Sequence, residues 1–188
     1  AAAGAATTML GVVGTDHERF GVRPALADAG VDADQVGVVD VPTGAAYVFV
    51  DPSGDNRIVV RPGANAAVDD AYVDAHYDVV RDADCLLLQN EIPVEPVAAL
   101  LDDLAAEPTR PTVILDPAPP AGVDPLLGRE AVDYLTPNEG EYAALADTLD
   151  AYDGVVVRKR GGDPVIVTAG DDRFTVDPPA VDPVDTTG

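Results

Sequence analysis

The chain has 188 residues, 47% apolar and 5% aromatic with no Trp, and a net charge of −23 from 34 acidic and 11 basic side chains. That length suits one domain with at most a small appendage, and its core must rest on Val, Leu, Ile and Ala. The charge argues against nucleic acid or an anionic membrane as partner, because both are polyanions. No apolar run reaches the ~20 residues of a membrane-spanning helix.

The acidic residues are spread between apolar runs instead of forming a tail, and Lys159 is the only lysine. Such a surface repels itself in dilute buffer, whereas at ~1 M salt the screening length falls to ~3 Å. The composition therefore points to a salt-accumulating cytoplasm. The chain opens on Ala1 with neither an initiator Met nor a charged-then-apolar leader. This reads as an incomplete start, not as a secretory signal. The single cysteine, Cys85, excludes an internal disulfide; within Cys85-Leu86-Leu87-Leu88 it is expected to be buried in a strand.

In chain order, Thr8-Met9-Leu10-Gly11-Val12-Val13 reads as a buried strand running into the turn Gly14-Thr15-Asp16. A short helix is expected over 17–30, stopped by Gly30, with Pro24 weakening its first turn. Strand candidates at 37–41, 45–51 and 57–61 follow in quick succession, separated by Pro42-Thr43-Gly44 and Asp51-Pro52-Ser53-Gly54-Asp55. Short turns between strands predict an antiparallel meander. Both of its faces are rich in apolar residues, so it should cover something or pair with a second copy.

The rhythm then changes. A helix near 69–80 leads to a strand at 84–89, a helix near 94–106 to a strand at 112–116, and a short segment to a strand at 132–136. A helix at 139–150 precedes a last strand at 165–168. Continuous apolar strands alternating with helices predict an α/β fold with a parallel sheet covered on both faces. In open sheets of this kind ligands sit beyond the carboxyl ends of the strands. Polar residues just past a strand, in Gln89-Asn90-Glu91 and Thr136-Pro137-Asn138-Glu139, are therefore the preferred functional candidates.

Common signatures are missing. There is no G-x-x-x-x-G-K loop, no G-x-G-x-x-G and no G-x-S-x-G elbow. His17 and His76 are far apart in sequence, so with one Cys a zinc site is not expected. Asn138-Glu139-Gly140-Glu141 has two readings. Asn138 can cap a helix whose first turn is acidic, which is ordinary helix chemistry. Alternatively, Asn138 and Glu141 face a ligand cleft, where a carboxylate holds hydrated Mg²⁺ against phosphates. Thr168-Ala169-Gly170 ends a strand in a small-residue turn that permits close backbone approach. Glu91 could orient a polyol hydroxyl or cap the next helix. The final Asp185-Thr186-Thr187-Gly188 reads as a strand entering an anion-cradling turn.

The order of these features resembles the ribokinase family, the carbohydrate kinases of the phosphofructokinase-B type, over essentially the whole chain. Pro42-Thr43-Gly44 with Asn56-Arg57-Ile58-Val59-Val60 and Pro62-Gly63-Ala64-Asn65-Ala66-Ala67 is similar to the family's lid and its return. Leu87-Leu88-Gln89-Asn90-Glu91-Ile92-Pro93 resembles the segment that bears a sugar-contacting Glu. Ile114-Leu115-Asp116-Pro117-Ala118-Pro119 resembles an Asn/Asp-Pro-Ala-Pro strand end, and Thr136-Pro137-Asn138-Glu139-Gly140-Glu141 the N-x-x-E element. Residues 165–170 resemble the nucleotide-side strand and turn, and Asp185-Thr186-Thr187-Gly188 the first half of D-T-T-G-A-G-D.

The resemblance implies a mostly parallel three-layer α/β sheet, ribokinase-like and Rossmann-like, over 1–36 and 62–188, with a small β-meander lid at 37–61 that pairs with a second copy as a homodimer. It implies a cytoplasmic kinase that uses ATP, Mg²⁺ and a monovalent cation, K⁺ by analogy, to phosphorylate the hydroxymethyl group of a sugar, D-ribose first. Glu91 would contact sugar. Asn138, Thr168, Gly170 and Gly188 would serve the nucleotide, and Glu141 would act on Mg²⁺ through water. Asp185 and the Thr187 carbonyl would hold the monovalent cation. The family's catalytic Asp, its first sugar-binding strand and its G-G-K-G-A-N segment do not occur in these residues. The isolated piece is therefore expected to be inactive. The stretch after Gly170 also reads as short, as if a hairpin were dropped between Asp172 and Arg173. Alternatives are another kinase of the family, acting on a ketose, a 2-keto-3-deoxy sugar acid or a nucleoside, and a non-catalytic binding module ending at Gly188.

Overall fold

Where a helix links two strands the pair runs parallel, and where only a turn links them it runs antiparallel; both kinds occur in this chain. The computed structural model describes residue 1, residues 3–50 and residues 56–179. These form two compact units. One comprises the described residues of Ala1–His76 with Glu91–Pro96, the other Tyr77–Asn90 with the described residues from Val97 onward.

In the first unit, β1 (Thr7–Thr8) and β2 (Gly11–Gly14) are followed by α1 (His17–Phe20), α2 (Val22–Asp28), β3 (Val31–Asp32) and β4 (Val36–Val39). β1 pairs with β3 and β2 with β4, both in parallel across the two short helices. The helix expected over 17–30 breaks at Gly21, whose φ of 62° is left-handed. Gly30 stops it as expected, at φ 75°. β5 (Ala45–Val50) and β6 (Asn56–Arg61) form an antiparallel ladder from Ala45 opposite Arg61 to Val50 opposite Asn56. The expected three-stranded meander is thus corrected to two strands. The segment near 37–41 joins β2 instead, because α1 and α2 carry the chain back so that β4 lies alongside it in parallel. The turn 51–55 lies outside the described residues.

A 3-10 turn (Gly63–Ala67) and α3 (Asp70–Ala75) complete the unit. Val12, Ala64 and Val68 are its buried centre, with Val39, Ala67, Tyr72, Val73 and Ile92 packed around them. Asp69 caps α3 by accepting from the Tyr72 N–H at 2.9 Å. The Tyr72 hydroxyl accepts from the Gly11 N–H at 2.7 Å and lies within 3.0 Å of the Gly11 and Gln35 carbonyls, one of which takes its proton. The helix expected over 69–80 stops at His76, whose ring packs on Tyr72 with centroids 4.2 Å apart.

The second unit begins with α4 (Tyr77–Arg81) and β7 (Cys85–Gln89), and α5 (Val94–Ala105), in this unit from Val97 onward, leads on to β8 (Thr112–Asp116) and β9 (Val132–Leu135). α6 (Glu139–Ala144) and α7 (Ala146–Leu149), separated at Leu145, precede β10 (Val155–Arg158), β11 (Val165–Ala169) and β12 (Asp172–Val176). One six-stranded sheet runs β12-β11-β10-β9-β8-β7. From β7 to β10 it is parallel, while β11 runs antiparallel to both β10 and β12. Leu101 and Leu104 of α5, Val113 and Leu115 of β8 and Leu135 of β9 are fully buried.

Three expectations change here. β10, unforeseen, is the parallel strand next to β9. The strand foreseen at 165–168 is β11, which a tight turn folds back against β10. Asp172 and Arg173 sit inside the β11–β12 ladder, opposite Ala169 and Thr168. Cys85 is exposed, not buried. Strand alternation puts it on the same exposed face as Leu87 and Gln89, while Leu86 and Leu88 turn inward.

Candidate active site

The parallel strands β7 to β10 all end at one edge of their sheet, and hydrogen bonds stitch that edge into a rim. Asn90, buried just past β7, donates its backbone N–H to the Ala118 carbonyl at 3.0 Å. Its side-chain amide donates to the Pro119 and Ala121 carbonyls at 2.7 and 3.1 Å. Thr136 N–H donates to Leu115 O at 3.0 Å, tying the exit of β9 to β8. Lys159 N–H donates to Pro137 O at 2.8 Å, tying the exit of β10 to that of β9. The Lys159 ammonium then reaches across the end of β9 to Asp116 Oδ2 at 2.6 Å.

Asn138 and Glu141 sit on this rim and satisfy the first of their two readings in full. The Asn138 side chain accepts from the Glu141 N–H at 2.9 Å. Glu141 returns both carboxylate oxygens, one to the Asn138 N–H and one to its side-chain amide, each at 2.7 Å. This reciprocal cap orders the first turn of α6, and Glu141 is buried, with 8% of its surface exposed. Beside it, Glu139 accepts from Arg158 at 3.0 and 2.6 Å and from Arg160 at 2.9 Å. The Arg158 guanidinium, helped by Arg160, holds the Glu139 carboxyl below the usual carboxylate range. Arg158 also lies over the Tyr142 ring, 4.1 Å from its centroid.

Asp116 contributes one more feature. Its Oδ1 is buried and has no hydrogen-bond partner among the described residues, although Oδ2 holds Lys159. A buried carboxylate oxygen without a donor is unusual in a folded protein.

The foreseen residues therefore divide. Asn138 and Glu141 share the rim. Thr168 and Gly170 do not. Thr168 pairs with Val156 and Ala169 with Val155, at the start of β10, so both residues lie toward the opposite edge of the sheet. The reversed direction of β11 moves them there, and the expectation that they line the same cleft is corrected. Glu91 is exposed and belongs to the other unit. Asp185, Thr187 and Gly188 lie outside the described residues. Lys159 also stands on this rim, though no motif points to it. The available signal was a run of three cations, Arg158-Lys159-Arg160, after Val155-Val156-Val157 in a chain with only 11 basic side chains.

The first unit holds a second polar knot. Asp16 Oδ1 accepts from the Thr43 N–H at 2.8 Å and from its hydroxyl at 2.6 Å. The Thr43 hydroxyl accepts from the Gly14 N–H at 3.0 Å, and Arg61 donates to Thr43 O at 3.0 Å. Hydrogen bonds from the Thr43 side chain, then from its backbone, hold the Asp16 carboxyl below its ordinary range. The knot fixes the base of the β5–β6 hairpin to the end of β2.

Residues 1–188 match the family model of the pfkB family carbohydrate kinases. The chain belongs to that family. Among relatives of this pfkB chain, the ribokinase of Bacillus subtilis is 32% identical over 195 residues, covering 98% of this chain and 64% of its own length. A bifunctional ribokinase/ribose-5-phosphate isomerase A of Fructilactobacillus sanfranciscensis is 34% identical over 203 residues, covering all of this chain and 37% of its own. The ribokinase structure of Thermotoga maritima superposes with a TM-score of 0.80 at 29% identity, covering 96% of this chain and 62% of that one. That of Arabidopsis thaliana, complexed with ribose and ATP, gives 0.76 at 29% identity, covering 97% and 65%. The pfkB chain thus spans less than two thirds of the length of each of these relatives.

Proposed function

We propose that the full-length protein transfers the γ-phosphoryl group of ATP to the hydroxymethyl group of a sugar, converting D-ribose to D-ribose 5-phosphate. The observation that carries this reading is the stitched rim, where Asn138, Glu141, Asp116 and the Arg158–Arg160 cations meet at the tips of parallel strands. The ribokinase relatives supply the choice of sugar. Phosphoryl transfer depends on positioning and charge stabilisation and needs little covalent chemistry from the protein, and a rim of fixed polar groups suits that demand.

Mg²⁺ keeps several waters and takes only one or two carboxylates plus substrate phosphates. The rim fits that donor set. Glu141 and Asp116 supply carboxylates, and Asp116 Oδ1 has no partner among the described residues. When bound, the ion would neutralise phosphate charge; the chain's own groups orient and hold. Glu91 contacts the sugar in this reading. Asp185 and the Thr187 carbonyl hold a monovalent cation, K⁺, Gly188 opens an anion-binding turn, and the catalytic base lies beyond Gly188.

The β5–β6 hairpin exposes apolar residues on both faces, among them Tyr47, Phe49, Ile58 and Val60. As a lid it pairs with a second copy, and light scattering of the full-length protein in high salt should give the mass of a dimer. The setting is a salt-rich cytoplasm. No helix among the described residues is long and apolar enough to cross a membrane.

The test is a panel of ribose, ketoses, a 2-keto-3-deoxy sugar acid and nucleosides, each with MgATP and the full-length protein. Ribose should be preferred, and preference for another substrate would reject the assignment. Asn138→Ala and Glu141→Ala should each lose about 1 kcal/mol of stability through the cap. Both should also abolish MgATP-dependent turnover. Intact turnover in these variants would leave capping as their whole role.

A further inference from the structure

We propose that Lys159 is the cation at this rim that binds the polyphosphate of the nucleotide, and that Asp116 holds it in readiness. This rests on the kinase reading and deepens it at the level of one side chain.

The three cations after β10 differ in how firmly they are held. Arg158 makes two hydrogen bonds to Glu139 and stacks on Tyr142. Arg160 is tied to Glu139, to Asp163 and to the Pro164 carbonyl. Their side chains are 27% and 30% exposed. Among the described residues Lys159 has one side-chain hydrogen bond, to Asp116, and its side chain is 45% exposed. The arginines brace the turn, while the lysine can change partner. An ammonium on a four-carbon stem is a point charge that swings readily, unlike the planar fork of Arg.

Long-range electrostatics make such a residue necessary. The chain's charge of −23 repels a nucleoside triphosphate at every distance that salt does not screen. Binding must therefore rely on short-range contacts. Lys159 is anchored by its backbone to Pro137 O, one residue before Asn138, which puts a cation at the heart of the rim. In the free protein Asp116 neutralises it through Oδ2. When a triphosphate arrives, an anionic oxygen replaces the carboxylate as the ammonium's partner. No bond is made or broken covalently, and Asp116, with one oxygen already unpartnered, is then able to accept donors from the ligand's hydration shell.

The inference is tested on the full-length protein by isothermal titration with inorganic tripolyphosphate and MgATP and by steady-state kinetics. Lys159→Met should weaken both ligands at least ~10-fold and raise the KM for ATP to match, with the sugar KM within ~2-fold. Lys159→Arg, which keeps the charge but not the compact ammonium that swings between partners, should weaken both ligands less than Lys159→Met does. Arg129→Met removes the same charge from a pair with Asp102 that lies away from the rim. It should change neither ligand by more than ~2-fold. If Lys159→Met behaves like Arg129→Met, the inference is wrong.

A second measurement needs no variant. Acetylation of the wild-type protein by acetic anhydride, read at Lys159 by peptide mass spectrometry, should slow at least ~5-fold in saturating MgATP. Unchanged labelling would overturn the inference even if Lys159→Met fails to fold. Wild type that binds MgATP through Lys159 but phosphorylates no sugar would end the kinase reading and leave this inference standing. Wild type that binds neither tripolyphosphate nor MgATP would end both.

Discussion

Asp133 shows how a single side chain serves this fold. At the start of β9 it accepts a two-pronged bond from Arg110, at 2.7 and 2.9 Å, and a third from the Val113 N–H at 2.8 Å. The Arg110 guanidinium, with the Val113 N–H, holds the Asp133 carboxyl below its ordinary value. A depressed folded-state pKa stabilises the protein above the unfolded value, ~3.9 for Asp, and that stability is lost as pH falls through the folded value. Asp133→Asn should therefore cost about 1–3 kcal/mol near neutral pH. In urea unfolding at stepped pH, its deficit against wild type should shrink below ~3.9 and vanish at lower pH. A deficit that persists unchanged into acid would mean packing, not charge, carries the effect. Nearby, burial pushes the Tyr152 phenol up to about 12, so its hydroxyl remains a donor to Val132 O, 2.7 Å away, at any working pH.

Among elements, the tightest junction is where β2 ends. A Cβ on Gly14 would fall 2.0 Å from Val41 O and 2.4 Å from Thr43 N, both backbone atoms. Neither can yield without moving the turn that carries the Asp16–Thr43 knot. Gly14→Ala should destabilise the first unit by about 1–3 kcal/mol or more, seen as early loss of amide protection in β2 and β4 under hydrogen exchange. Elements with strong periodic signals were legible in the sequence: α5 and β8 fall where their patterns put them, within a residue. The helix at 139–150 was legible as one piece and is two, because the chain bends at Leu145. β10 was not legible. Its Val155-Val156-Val157 run is short, and the cations that follow it resemble a solvent-facing loop. Missing β10 displaced Thr168 and Gly170 to the wrong edge, since every parallel strand's partner depends on its predecessor. The cap of Asn138 and Glu141 was legible because it is set by four consecutive residues. The Asp116–Lys159 contact was not, because 43 residues separate its ends and only sheet order brings them together.

At the scale of the molecule the dominant quantity is charge. With −23 spread over 188 residues, repulsion opposes compaction, and screening at ~1 M salt reaches down to ~3 Å. The thermal midpoint of the full-length protein should rise steadily as KCl increases from dilute buffer to molar concentration. A flat dependence would show that ion pairs such as Arg110–Asp133 already offset the surface field. Direction of travel matters as much as charge. β11 reverses the chain and β12 reverses it again, so Val176, opposite Val165, stands at the edge where Arg158 ends rather than where Val155 begins. Two turnabouts cancel. A single extra strand would have handed the continuing polypeptide to the wrong side of the sheet; this paired excursion restores its heading, so that whatever follows Val176 sets out from the same shore as Asn138 and Lys159.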